Sequence, residues 1–93
     1  MPKVTVITNR NGGWSQAATE EVCGRLGCRV NIDHWNYPWA MVVGRECTVE
    51  EITAIIPSDK VNYQVEVVDP ADNPMVRKIC YPQFGPYPRN LSF

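Results

Sequence analysis

The chain of 93 residues is long enough to build one hydrophobic core and too short for two. With 44% hydrophobic, 10% aromatic and 20% charged residues, it lacks the apolar-poor, highly charged composition of a disordered chain. The net charge of -1 is unevenly spread: residues 1–73 carry all ten acids and six of the bases, while residues 74–93 carry Arg77, Lys78 and Arg89 and no acid. Three cations among prolines fall short of the clustered basic face of a nucleic-acid binder, so nucleic acid is not an expected partner.

The longest apolar run, residues 38–43, is too short to cross a bilayer. Met1-Pro2-Lys3-Val4 leads into an alternating segment and a polar loop, without the continuous apolar stretch of a signal peptide. The expectation is a cytoplasmic protein with no membrane association and with reduced thiols at Cys23, Cys28, Cys47 and Cys80.

In chain order, the β-branched run Lys3–Thr8 predicts a strand, closed by the loop Asn9-Arg10-Asn11-Gly12-Gly13. Ser15 is placed to cap a helix running to Leu26, with Ala18, Val22 and Leu26 on one face and Gly27 as its stop. Residues 29–34 alternate as a strand with one wet face, 35–38 turn the chain, and 39–43 read as a more buried strand. Thr48-Val49-Glu50-Glu51 is a capping box, which predicts a short helix whose stripe is Val49, Ile52, Ile55 and Ile56 and whose stop is Pro57. Tyr63–Val68 reads as a strand, 69–74 as a turn, and Met75–Tyr81 as the returning arm of a hairpin.

This gives an α+β fold of order β-α-β-β-α-β-β, with a four- to five-stranded sheet and both helices on one face. The first six elements follow the order of a split β-α-β, ferredoxin-like domain; a thioredoxin-like arrangement is the alternative. In the latter, the loop that would hold redox cysteines reads Gly12-Gly13-Trp14-Ser15-Gln16 here, so its dithiol chemistry would be absent. The expected organisation is one domain over residues 1–81 and a Pro/aromatic-rich tail over 82–93.

Few residues favour catalysis or a cofactor. Cys23 and Cys28 are separated by four residues, wider than a zinc knuckle or a redox pair, and no second close pair exists; neither metal nor cofactor is expected. His34, the sole histidine, could pair with Cys47 or Cys80 in thiol chemistry, but Asp33 beside it in a strand points to the opposite face and cannot orient it. That pairing, as a cysteine-dependent or metal-binding enzyme, is the alternative function. The Asn9–Ser15 loop enters a helix N-terminus but carries neither of the glycine-rich phosphate fingerprints, and Asp69, Asp72 and Asn73 lack the spacing of an EF-hand loop.

The aromatic residues form the more informative pattern. Trp35, Tyr37 and Trp39 cluster around Pro38, and the tail adds Tyr81, Phe84 and Tyr87 among Pro82, Pro86 and Pro88. Such rings close small cores and also anchor protein interfaces. The expected function is a non-enzymatic protein-binding module acting by occlusion or tethering, such as an adaptor or an inhibitor encoded by a phage or mobile element. Its contact residues would be Trp35, Tyr37, Trp39, Phe84 and Tyr87, with Arg77, Lys78 and Arg89 as a basic rim. Tyr81 and Phe84 are expected to pack on the domain, and residues 89–93 to stay exposed.

Overall fold

The computed structural model describes residues 3–33 and 37–80 of the chain. Its elements are β1 (Val4–Asn9), α1 (Gln16–Leu26), β2 (Val30–Asp33), β3 (Tyr37–Val43), α2 (Val49–Ile55), β4 (Tyr63–Val68), a 3-10 turn (Pro70–Asp72) and α3 (Pro74–Cys80). The protein is an α+β fold with a four-stranded antiparallel sheet, of strand order β2-β3-β1-β4, and three short α-helices among the described residues.

Local chemistry sets both ends of α1 and the start of α2. The Ser15 hydroxyl accepts from the Ala18 amide at 3.1 Å, satisfying one of the amides that a helix start leaves without a partner. Gly27 ends α1 in the left-handed region, at φ 66, and donates its amide to Cys23 O. In α2 both halves of the capping box form: Glu51 N donates to Thr48 Oγ1 at 3.1 Å, and Thr48 N donates to Glu51 Oε1 at 2.9 Å. That amide hydrogen bond, reinforced by the Arg45 guanidinium, holds the Glu51 carboxyl below its ordinary pKa.

Two cores lie on the two faces of the sheet. Ile7, Trp14, Val22, Ile32, Met41, Val43, Ile52 and Ile56 cluster between the sheet and the pair α1 and α2. Val4, Val6, Ala40 and Val42 point the other way, where Val76 and Ile79 of α3 cover them. Period-two alternation along β1 therefore feeds both cores from one strand. Thr5, fully buried on the α1/α2 side, joins the sheet to the turn before α2: its hydroxyl donates to Arg45 O at 2.7 Å and accepts from Cys47 N at 2.8 Å.

Three sequence expectations need correction. The hairpin arm expected from Met75 is the helix α3, so the sheet has no fifth strand among the described residues; α1 and α2 share one face, and α3 covers the other. Asn73 Oδ1 accepts from Val76 N at 3.1 Å and Asn73 O accepts from Arg77 N, which makes Asn73 the cap and Pro74 the first helical residue. Pro38 lies within β3 instead of in a turn. It sits beyond Ala40, which pairs with Thr8 at the end of the β1 register, and its carbonyl accepts from Trp14 N at 2.7 Å, so no ladder bond to β1 needs its missing amide. Val49 is 57% exposed and belongs to neither core cluster, so the buried stripe of α2 runs through Ile52, Ile55 and Ile56 without it. Tyr81, Phe84, Tyr87 and Arg89, and the rest of residues 81–93, lie outside the described residues, as do His34 and Trp35.

Candidate functional site

The aromatic pattern around Pro38 resolves into one anchored pair. Tyr37 packs against the cluster formed by Val4, Val6, Ala40, Val42, Val76 and Ile79. Trp39 meets Tyr37 edge to face, with ring centroids 5.8 Å apart and planes at 81°, and remains 43% exposed. The geometry is the favourable one for two aromatic quadrupoles and fixes the Trp39 ring at the surface. Gly13 abuts this segment: a Cβ there would lie 3.1 Å from Pro38 Cβ and 3.2 Å from its carbonyl oxygen, so the glycine allows the loop after β1 to close against the base of β3.

Val76 and Ile79 face the sheet from α3, three residues apart, and leave Arg77 and Lys78 on the exposed side of the same helix. The Arg77 guanidinium donates to Ala71 O at 2.9 Å, which ties it to the preceding turn. The structure thus associates Tyr37 with the face that α3 covers and sets the exposed Trp39 ring against Tyr37, while Arg77 and Lys78 project outward from that helix.

Two concavities were not legible in the sequence. A groove of about 210 Å³ lies on the helical face, walled by Trp14, Ala18, Val22, Ile55, Ile56 and Pro57, with Glu21 and Lys60 also lining it. Its walls come from α1, the end of α2 and the segment before β4, which no local pattern connects. A smaller and more polar one of about 160 Å³ opens beside α3 over β1 and β4, lined by Thr8, Gln64, Glu66 and Asn73 among others.

The thiols sit in a less reactive setting. Cys47 is buried, and Cys23 and Cys28 are partly so. Burial, and then the neighbouring Cys47, push the Cys28 thiol above its ordinary pKa, against the nearby Arg45 guanidinium that draws it down. Burial likewise raises Cys47, opposed by Arg45 and by its hydrogen bond to Thr5. Arg45 is engaged elsewhere, with its guanidinium 3.0 Å from Glu51 Oε2 and 3.0 Å from Glu46 O. A raised thiol pKa lowers the thiolate fraction near neutrality, the reverse of what an attacking cysteine needs. In the native protein, Cys28 and Cys47 are expected to alkylate near pH 7 more slowly than the same residues in the urea-unfolded chain, as read by mass spectrometry of labelled peptides. Labelling at the unfolded rate for either residue would contradict this.

Among the described residues no group of three or more histidine, cysteine or acidic side chains is arranged to hold a metal ion, and no helix is long and apolar enough to cross a membrane. No protein-family model, curated protein or solved structure matches the chain.

Proposed function

We propose that this protein is a non-enzymatic protein-binding module and that the Trp39 ring is the centre of its recognition surface. The observation that carries this reading is the combination of exposure and fixation at Trp39: the ring is 43% exposed yet braced on Tyr37, which is itself seated in a core cluster. A large aromatic side chain held in one orientation offers much apolar area at little ordering cost, which is why such residues dominate binding energy at interfaces. Trp35 precedes it in sequence, and Arg77 and Lys78 on α3, with Phe84, Tyr87 and Arg89 further along the chain, complete the proposed contact set.

The mode of action is occlusion or tethering of a cytoplasmic protein assembly, as an adaptor or a phage-type inhibitor would exert it. The burial and raised pKa of Cys47 weigh against that thiol as the nucleophile of the alternative, a thiol enzyme using His34 with Cys47 or Cys80. The strand order β2-β3-β1-β4, with β1 and β3 adjacent and antiparallel, supports the finer assignment of the sheet and its first two helices to the ferredoxin-like class, on which α3 is an addition.

The test is affinity capture with the full chain from its source, comparing the natural sequence with Trp39→Ala and with Val49→Ala as a surface control. A protein that co-purifies with the natural chain and with Val49→Ala should be lost from Trp39→Ala by a factor of roughly thirty or more, the loss of about 2 kcal/mol expected of a central aromatic anchor. Equal recovery by all three would sink the assignment of Trp39.

A further inference from the structure

The free edge of β4 carries an independent inference. The β1 and β4 ladder runs without a register shift from Val4 opposite Val68 to Asn9 opposite Tyr63. Just beyond it, Arg10 N donates to Asn62 O at 2.8 Å, which fixes the phase of the ladder. Hydrogen-bonded pairs recur every second residue in an antiparallel ladder, so Gln64, Glu66 and Val68 direct their backbone groups at β1. Tyr63, Val65 and Val67 direct theirs outward, where no described strand pairs with them.

This edge has little of the protection that sheet edges normally show. Across the six residues Tyr-Gln-Val-Glu-Val-Val there is no proline, no lysine and no bulge, and Val67 is 42% exposed. The opposite edge, β2, is shorter at four residues, has a register irregularity between Ile32 and Asp33, and is tied to α3 by the Asn31 side-chain amide donating to Ile79 O.

The side chains of β4 are self-complementary in one register. Tyr63 and Val65 pack with the core under α1 and α2, and Val67 follows them on that face by alternation. Gln64, Glu66 and Val68 line the other face. Set two copies antiparallel about a twofold axis at Val65, and Val65 opposes its own copy while Tyr63 opposes Val67. On the other face Gln64 opposes Glu66, with the Gln64 carbonyl already accepting from Arg10 at 2.9 Å and its amide left to donate to the carboxylate. A slip of one residue sets outward-facing backbone against inward-facing backbone and forms no ladder. A slip of two toward the C-terminus sets Glu66 against Glu66, a like-charge pair.

We infer that the protein associates with a second copy of itself through antiparallel β4–β4 pairing centred on Val65, making one continuous sheet with four strands from each copy. Three outward residues on each strand supply about six backbone hydrogen bonds across the axis. The helices α1 and α2 of both copies then lie on the same face of the joined sheet.

Sedimentation of the full chain at tens of micromolar is expected to give twice the 10.5 kDa chain mass. Val67→Lys, which places a charge against Tyr63 of the second copy at a position exposed in the single chain, should shift the species to 10.5 kDa with the fold retained. Amide hydrogen exchange supplies a readout that needs no variant. At high concentration the amides of Tyr63, Val65 and Val67 should be protected together with those of Gln64, Glu66 and Val68, and dilution should release the first three alone. A single-chain mass at all concentrations, a dimer unaffected by Val67→Lys, or exchange of the outward amides that dilution does not change would each overturn the inference.

Discussion

Replacing Trp14 with alanine is expected to remove about 3–5 kcal/mol of stability, the largest single-site loss in the fold. Trp14 is buried at 6% exposure among Ile7, Val22 and Ile56, meets Tyr63 with ring centroids 6.2 Å apart, and donates its indole N–H to Ile7 O at 2.8 Å. The residue thereby ties the loop after β1 to the strand it has just left and supports the Pro38 segment through its own backbone amide. Against a total stability of about 5–15 kcal/mol for a small domain, such a loss leaves little or none of the folded state. Trp14→Phe separates packing from hydrogen bonding. It keeps an aromatic ring but removes the indole N–H that Ile7 O accepts, and should cost about 1–3 kcal/mol. Urea unfolding of the three proteins checks this ordering; a Trp14→Ala variant within about 1 kcal/mol of the natural chain would show that the ring is not part of the core.

The second large effect concerns α3. Val76 and Ile79 are both fully buried against Val4, Val6, Ala40 and Val42. Ile79→Ala should cost about 2–5 kcal/mol and Val76→Ala a somewhat smaller amount in the same direction, whereas Lys78→Ala, on the exposed side, should stay within about 0.5 kcal/mol. The pattern is diagnostic of the element. In a strand, positions 76 and 79 point to opposite faces, so only one of the two could be sensitive; in a helix they share a face and both are. Denaturation midpoints for the three variants decide the matter, and a neutral Val76→Ala beside a damaging Ile79→Ala would restore the strand that residue patterning alone predicts.

That ambiguity shows where sequence reading stops. The limits of α1, the start of α2 and the full extent of β4 were legible because the atoms that set them are close in sequence. Ser15 and Ala18, Gly27 and Cys23, Thr48 and Glu51 satisfy one another within four residues, and the alternation of β4 runs between the polar segment before it and Asp69-Pro70. Asn73-Pro74 is equally suited to ending a turn and to starting a helix, and the apolar residues after it are too few for periodicity to choose between strand and helix.

A helix of seven residues has little stability of its own, so the choice at α3 fell to its surroundings. With α1 and α2 on one face of the sheet, the apolar set of Val4, Val6, Ala40 and Val42 on the other face needed cover, and a helix with Val76 and Ile79 in line supplies it. The candidate site followed the same division. The sequence by itself marked Tyr37 and Trp39 as a cluster of rings, through nothing more than their spacing around Pro38. Only the tertiary structure decided that Tyr37 goes into a core and Trp39 stays at the surface, because burial depends on which elements from distant parts of the chain arrive to exclude water. The open edge of β4 has the same origin: strand order, a property of the whole sheet, leaves Tyr63, Val65 and Val67 with outward backbone groups that no local pattern reveals.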